Sequence, residues 1–261
     1  MTALTPSKLS AARERLIAMH FAAKTGHLGG NLSCLDAMML VHHEFLGPDD
    51  RFVLSKGHSA GALYVTQWSL GRIPDDALAT FHQDGTALAG HPPSHGVPGV
   101  EFATGSLGHG LSLAAGLALA ARLRGSSRQV FCLTSDGEWQ EGSTWEALIF
   151  AAHHRLSALT VVIDQNGLQG FGTTREVASL DRLQDVIAPF AVEVRCADGH
   201  DLDAMRAAIG RPHGPGPLVV VLATRKGNGI PSHVGRMDSH YLPLTKEAYA
   251  GRNWPGRTEA P

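Results

Sequence analysis

Apolar residues along the chain change period several times, and the changes mark out elements. Residues 7 to 24 place Leu9, Leu16, Ile17, Met19 and Phe21 at helical spacing, with Gly26 just past the end. Residues 33 to 46 predict a second helix, with Ser33 as its cap and Gly47-Pro48 as its stop. "RFVLS" at 51–55 predicts a short strand. "QVFCLTS" at 129–135, "LTVVID" at 159–164 and "PLVVVLATR" at 217–225 are unbroken apolar runs of strand length, and "AVEVRC" at 191–196 is a weaker one. Between them, 106–124, 142–155 and 201–210 are helical in pattern, the last with Asp201 as its cap.

Strands that are apolar on both faces belong to parallel sheets covered by helices. Their alternation with helices predicts an α/β, doubly wound, mostly parallel sheet flanked by helices. No repeat, low-complexity segment or linker interrupts the pattern. The expectation is one domain over 1–250 and a C-terminal tail at 251–261.

Composition narrows the class. The 261 residues carry a net charge of −2 with histidine neutral, and no run of Lys or Arg forms a basic stripe, so no nucleic-acid partner is expected. The N-terminus has charges where a signal peptide needs its apolar stretch. "LSLAAGLALAARL" is too short to span a bilayer, so no membrane partner is expected. Cys34, Cys132 and Cys196 are scattered, which fits a reducing, cytoplasmic setting. Thirty glycines and fifteen histidines are unusual, and many of both share short loops.

Ligands of open parallel sheets bind beyond the carboxyl ends of the strands. There the chain has "KGHSAG", "SDGEWQEG", "QNGLQGFG" and "KGNGIPSH". Asn166 follows Asp136 by thirty positions, each at a predicted strand end. A carboxylate and an amide oxygen are hard ligands suited to magnesium, with diphosphate oxygens filling the other positions. Gly137 would let backbone approach a phosphate. Either loop alone is better explained by a helix cap or an Asn-Gly turn; the pair at this spacing favours the metal.

The pairing resembles the diphosphate motif of thiamine-diphosphate enzymes, with Ser135 in place of the first glycine. "KTGHLGGNLS", "LSKGHSAGALY", "LAGHPP", "FATGSLGHGLS", "SDGEWQEG", "DQNGLQGFGTT" and "MDSHY" are similar in order and spacing to transketolase, over roughly residues 7 to 250. The chain resembles the N-terminal subunit of a split transketolase.

The resemblance implies the following roles. Asp136, Asn166 and the Leu168 carbonyl would hold Mg2+ or Ca2+. His58, the Gly137 backbone and His240 would contact the diphosphate. Gly105, Ser106 and Leu107 would line the thiamine. His27, His91 and His240 would serve proton transfer at the substrate, work that suits a side chain titrating near neutrality. Glu141 and Glu146 would couple cofactor sites across subunits. Glu138 stands with the cofactor-binding loop, although a solvated turn residue accounts for it slightly better. Trp139 and Trp145 are expected in packing or at an interface. Leu28 and His109 depart from the family's proline and glutamine, and His109 would add a titratable group beside the thiamine loop.

The activating glutamate of the family lies on a pyrimidine-binding domain, and too little chain remains after residue 225 to build one. The expectation is a separate C-terminal subunit, two copies of each chain, and transfer of a two-carbon ketol unit from a ketose phosphate to an aldose. A related split enzyme with an unusual sugar or acyl acceptor stays open, as does a scaffold protein that has kept the fold.

Overall fold

The computed structural model describes residues 3–180 and 182–251. Five strands form one parallel sheet: β1 (Arg51–Leu54), β2 (Val130–Ser135), β3 (Leu159–Gln165), β6 (Glu193–Asp198) and β7 (Leu218–Ala223), in the order β1-β2-β3-β7-β6. A two-stranded antiparallel hairpin, β4 (Leu168–Gln169) with β5 (Gly172–Thr173), projects after β3.

The helices cover both faces. α1 (Pro6–Ala23), α2 (Leu28–Leu40), α3 (Ala60–Ser69) and α9 (Leu202–Gly210) pack on one side. There they meet Phe52, Leu54, Phe131, Leu133, Val162, Leu218, Val220 and Leu222. α5 (Gly110–Leu123), α6 (Gly142–His153) and α8 (Leu183–Ile187) lie on the other, against Val53, Val130, Cys132, Val161, Ile163, Val219 and Val221. Alternate residues of β1, β2, β3 and β7 thus enter opposite cores, which is why these strands read as continuous apolar runs, whereas β6 at the sheet edge has no buried residue and reads weakly. Short helices α4 (Asp75–Leu78), α7 (Thr174–Ala178), α10 (Asp238–Tyr241) and α11 (Lys246–Ala250) sit in the connections.

The expected fold class is observed, with differences at element ends. Ser33 is not a cap. α2 begins five residues earlier, after His27, whose φ of 64° ends the preceding turn, and Ser33 is buried mid-helix. "LGGN" reads as loop because of its glycines, yet these glycines allow close packing: a Cβ on Gly29 would lie 2.4 Å from Ser239 Oγ. Every residue of α2 is buried, so it carries no amphipathic period to betray its start. Past Leu40 the helix widens into a π-helical turn, Val41–Phe45, before the expected stop. α3 shows no sequence period for the same reason, being buried along nearly its whole length. Residues 106–109 are a turn ahead of α5, not its first turn. β6 runs two residues later than its apolar pattern suggests, following Ala191 in a left-handed conformation. Asp201 caps α9, accepting from the Asp203 and Ala204 amides. Of the expected tail, residues 252–261 lie outside the described residues.

Candidate functional site

The carboxyl ends of β1, β2, β3 and β7 open on a cavity of about 360 Å3. Each strand end contributes: His58 from the turn after β1, Asp136 and Gly137 after β2, Asn166 after β3 and Lys226 after β7. His27 ahead of α2, His91 in its loop and His240 on α10 complete the wall.

The four histidines converge. The His27 ring lies 5.5 Å from His58, 6.0 Å from His91 and 5.1 Å from His240, centroid to centroid. Backbone holds them there. The His27 N–H donates to the His240 carbonyl at 2.9 Å, and Asn31 Nδ2 donates to the carbonyls of His27 and His58. Burial lowers the His27 pKa to about 4, aided by His91 and Lys226, and lowers His240 to about 3, aided by Lys226. Burial also depresses His91, and His58 further. These rings are neutral at pH 7, each with one donor and one acceptor nitrogen.

The acid side of the cavity is built from β2 and β3. Asp136 is 5% exposed. Its Oδ1 accepts from the Gly137 amide at 2.8 Å and its Oδ2 from the Gly167 amide at 2.6 Å. Burial, with Asp164 nearby, still raises its pKa to about 6. A carboxylate so placed gains from an added cation. Asn166 Nδ2 donates to Asp164 Oδ2 at 3.2 Å and Oδ1 accepts from the Leu168 amide, so the amide's orientation is set. Lys226 Nζ donates to the Leu168 carbonyl at 3.2 Å and to His240 Nδ1 at 2.7 Å, which leaves the His240 proton on Nε2. Burial and Lys56 lower the Lys226 pKa to about 8. Among the described residues, no three His, Cys, Asp or Glu side chains group as a metal site. The expected ligands are of another kind: one carboxylate and two neutral oxygens, which lean on diphosphate oxygens for the rest.

Beneath the cavity, Lys56 and Asp164 form a buried ion pair. Asp164 also accepts from Ser33 at 2.6 Å and from Thr224, and Lys56 donates to the Gly30 carbonyl at 3.0 Å. Burial works against both charges, yet the pairing outweighs it: Lys56 is raised and Asp164 lowered. The pair ties α2, β1, β3 and β7 together directly under Asn166.

Glu138 is not solvated, and it does not line the cavity. It is fully buried, accepting from Ser55 Oγ, from the Gly108 amide at 2.8 Å and from the Ser135 amide at 3.3 Å. It therefore clamps the loops after β1, before α5 and after β2. Gly105 and Leu107 line the cavity, whereas Ser106 is exposed and does not. Gly105 has φ 154°, and a Cβ there would meet the His91 ring at 2.9 Å. Glu141 is exposed at the rim, and Glu146 lies on the exposed face of α6 outside the cavity. His109 is likewise exposed ahead of α5, outside the cavity lining. Trp139 is fully buried and Trp145 donates to its carbonyl at 2.7 Å, so both pack.

Residues 8–253 match the family model described as transketolase, thiamine diphosphate binding domain. The chain belongs to the transketolase family. It is 37% identical over 246 residues to one of the subunits of the apulose-4-phosphate transketolase of Actinobacillus succinogenes, covering 90% of this chain and 89% of that protein. It is 35% identical to the 6-deoxy-6-sulfo-D-fructose transketolase subunit SqwG of a Clostridium species, covering 86% of each. Among solved structures, the transketolases of Campylobacter jejuni and Leishmania mexicana superpose with TM-scores of 0.83 and 0.84 at 27% and 28% identity. The match covers 93% and 95% of this chain but 41% of each of those chains.

Several residues of this candidate site are not marked by any sequence pattern. Lys226 stands in a loop conspicuous for its glycines, and its position just past the β7 apolar run is the available signal. Lys56 sits in "SKGH" and Asp164 at the end of a predicted strand, but nothing in the sequence pairs positions so far apart. Gln169 and Tyr241 line the cavity from the hairpin and from α10, elements too short to carry a pattern.

Proposed function

We propose that this chain is the diphosphate-binding subunit of a two-chain transketolase. It would move a two-carbon ketol unit from a ketose phosphate to an aldose in a complex with a separate pyrimidine-binding subunit, two copies of each. The observation that carries the reading is one cavity uniting Asp136, Asn166 and the Leu168 carbonyl with Lys226 and four neutral imidazoles. Relatives that match over almost their whole length, and whose names make them single subunits of a transketolase, support the divided architecture.

The residues present fit the cofactor. Asp136, the Asn166 amide oxygen and the Leu168 carbonyl would hold Mg2+ or Ca2+, and Lys226, His58 and the Gly137 backbone would face the diphosphate. When bound, thiamine diphosphate supplies the electron sink that makes carbon–carbon cleavage accessible. The chain's own part is binding, orientation and proton handling. His27, His91 and His240, held neutral, would each donate or accept a hydrogen bond at a substrate hydroxyl, and a ring that takes up the hydroxyl proton becomes an imidazolium whose low pKa favours giving it back. Glu141 at the rim and Glu146 on α6 face outward, where the second chain would meet them. No helix among the described residues is long and apolar enough to cross a membrane, and a cytoplasmic enzyme is the setting we infer.

Within this reading a specialised sugar substrate is favoured over a general one, because the relatives above are named for unusual sugars. The test is to coexpress the chain with candidate pyrimidine-binding chains and assay ketol transfer from several ketose phosphates. Thermal stabilisation of that complex by thiamine diphosphate with Mg2+ separates an enzyme from a scaffold.

A further inference from the structure

Behind the imidazole wall lies a second cavity of about 160 Å3, which shares His27, His58, His91 and Tyr241 with the first. His20, at the end of α1, forms its floor and is 2% exposed. Among the described residues neither ring nitrogen of His20 makes a hydrogen bond of good geometry, the Thr25 and Gly26 backbone offering it only partial contact, and His27 Nδ1 has no partner. A neutral imidazole carries one N–H and one lone pair, and buried polar groups are normally matched. An occupant with hydrogen-bonding groups of its own would complete the pairing of His20 and His27.

The two histidines that belong to this cavity alone are held in place by their surroundings. The His20 ring lies 5.0 Å from Phe81, and a Cβ on Gly61 would come within 2.6 Å of its Nε2. His82 sits exposed at the mouth with φ 60°, in the left-handed region that carries a backbone cost for any residue with a Cβ. Its amide donates to the Leu88 carbonyl at 2.8 Å, and a Cβ on Gly90 would meet its ring at 2.9 Å. Strain maintained beside a cavity points to use of the side chain.

The chemistry of the lining limits the ligand. Among the described residues, no Lys, Arg, Asp or Glu lines the cavity. Burial lowers His20 and His27 to about 4, so both are neutral near pH 7. Nothing here repays the desolvation of a phosphate or carboxylate, whereas hydroxyls match single donors and acceptors. The volume holds roughly five waters at ~30 Å3 each, or a hydroxylated arm of two or three carbons.

We propose that this side cavity is a hydroxyl-binding subsite that takes a short, uncharged arm of the sugar substrate, with His20 and His82 as its specificity-determining residues. The arm reaches it past the exposed His91 ring from a substrate whose reacting carbon lies in the main cavity. This rests on the ketol-transfer reading.

The subsite is tested on the chain itself by long-range 1H–15N spectra of the histidine rings at pH 7.5. Glycerol and inorganic phosphate serve as probes, and His20→Phe and His82→Asn supply the assignments; asparagine tolerates the left-handed backbone. The expected result is saturable shifts at His20 and His82 with glycerol and none with phosphate. Absent or non-saturating glycerol shifts would mean a water-filled void, and a phosphate response would mean an anion site; either overturns the proposal. In the active complex, His82→Asn should raise KM for a polyhydroxylated aldose by roughly fivefold to tenfold, one hydrogen bond's worth. KM for glycolaldehyde, which has no such arm, and kcat should stay unchanged. An equal rise for both acceptors overturns the specificity role. A wild-type complex that transfers no ketol unit would instead sink the proposed function, and the glycerol spectra would still decide the subsite.

Discussion

Asp136 and Glu138 stand two residues apart in one loop, and both are buried with raised pKa values, yet they do different work. Asp136 faces the cavity with a charge that nothing in the chain fully offsets. Glu138 has its charge engaged by three donors from three loops. Asp136→Asn relieves a buried charge but leaves one of the Gly137 and Gly167 amides without its acceptor, so the melting temperature of the free chain should change little, while its stabilisation by thiamine diphosphate with Mg2+ in the complex should be lost. Glu138→Ala should do the reverse at first order. It strands the Gly108 and Ser135 amides, at a cost of about 2–4 kcal/mol in urea unfolding. Equal loss of folding stability in both variants would contradict the division. The sequence alone puts the two carboxylates in the same loop but not on different sides of it. Which way a side chain turns after a strand depends on the 3-10 turn at Gly137–Gln140, a feature decided by tertiary contacts.

At the scale of elements, the strands are legible because burial on both faces leaves long apolar runs, and Asp201 is legible because a cap is a local matter. The starts of α2 and α3 are not. Both helices are buried nearly all round, and glycines at their contacts look like loop when only neighbours in sequence are considered. The cost of that misreading is specific. Gly29 lets α2 approach α10, so that the Gly29 carbonyl accepts from Gly227 and His27 meets His240. Gly29→Ala places a Cβ 2.9 Å from the Ser239 carbonyl oxygen, a contact that backbone must relieve. We expect a loss of roughly 1–3 kcal/mol in stability and a weaker cofactor response, because the displaced helix carries His240. A stable variant with wild-type cofactor affinity would show that the α2–α10 contact does not position the site.

For the whole molecule, the buried histidines set a pH window. His20 and His42 are both lowered to about 4 by burial, from an ordinary 6.5. Between those values the unfolded chain takes up protons that the folded chain refuses, so stability is complete above pH 6.5 and falls as pH drops toward 4. Each residue contributes roughly 3 kcal/mol across the full window. Melting temperature should drop by roughly 10 °C between pH 7.5 and pH 5, and His42→Phe should remove part of that drop. A melting temperature flat over this range would contradict neutral burial of these rings.

Under the proposed function, this chain supplies one part of a reaction centre shared with a second subunit. Its cavity gathers a carboxylate, an amide oxygen, a lysine and imidazoles that would serve a metal, a diphosphate and substrate hydroxyls, and the match covers 41% of each of the solved transketolase chains it superposes on. The most direct test is a ketol-transfer assay with thiamine diphosphate and Mg2+, on the purified chain alone and on the chain mixed with a pyrimidine-binding partner. The account predicts no more than trace transfer from the chain alone, transfer on mixing, and loss of that transfer with Asp136→Asn. Full activity from the chain alone, or activity in the mixture that survives Asp136→Asn, would contradict it.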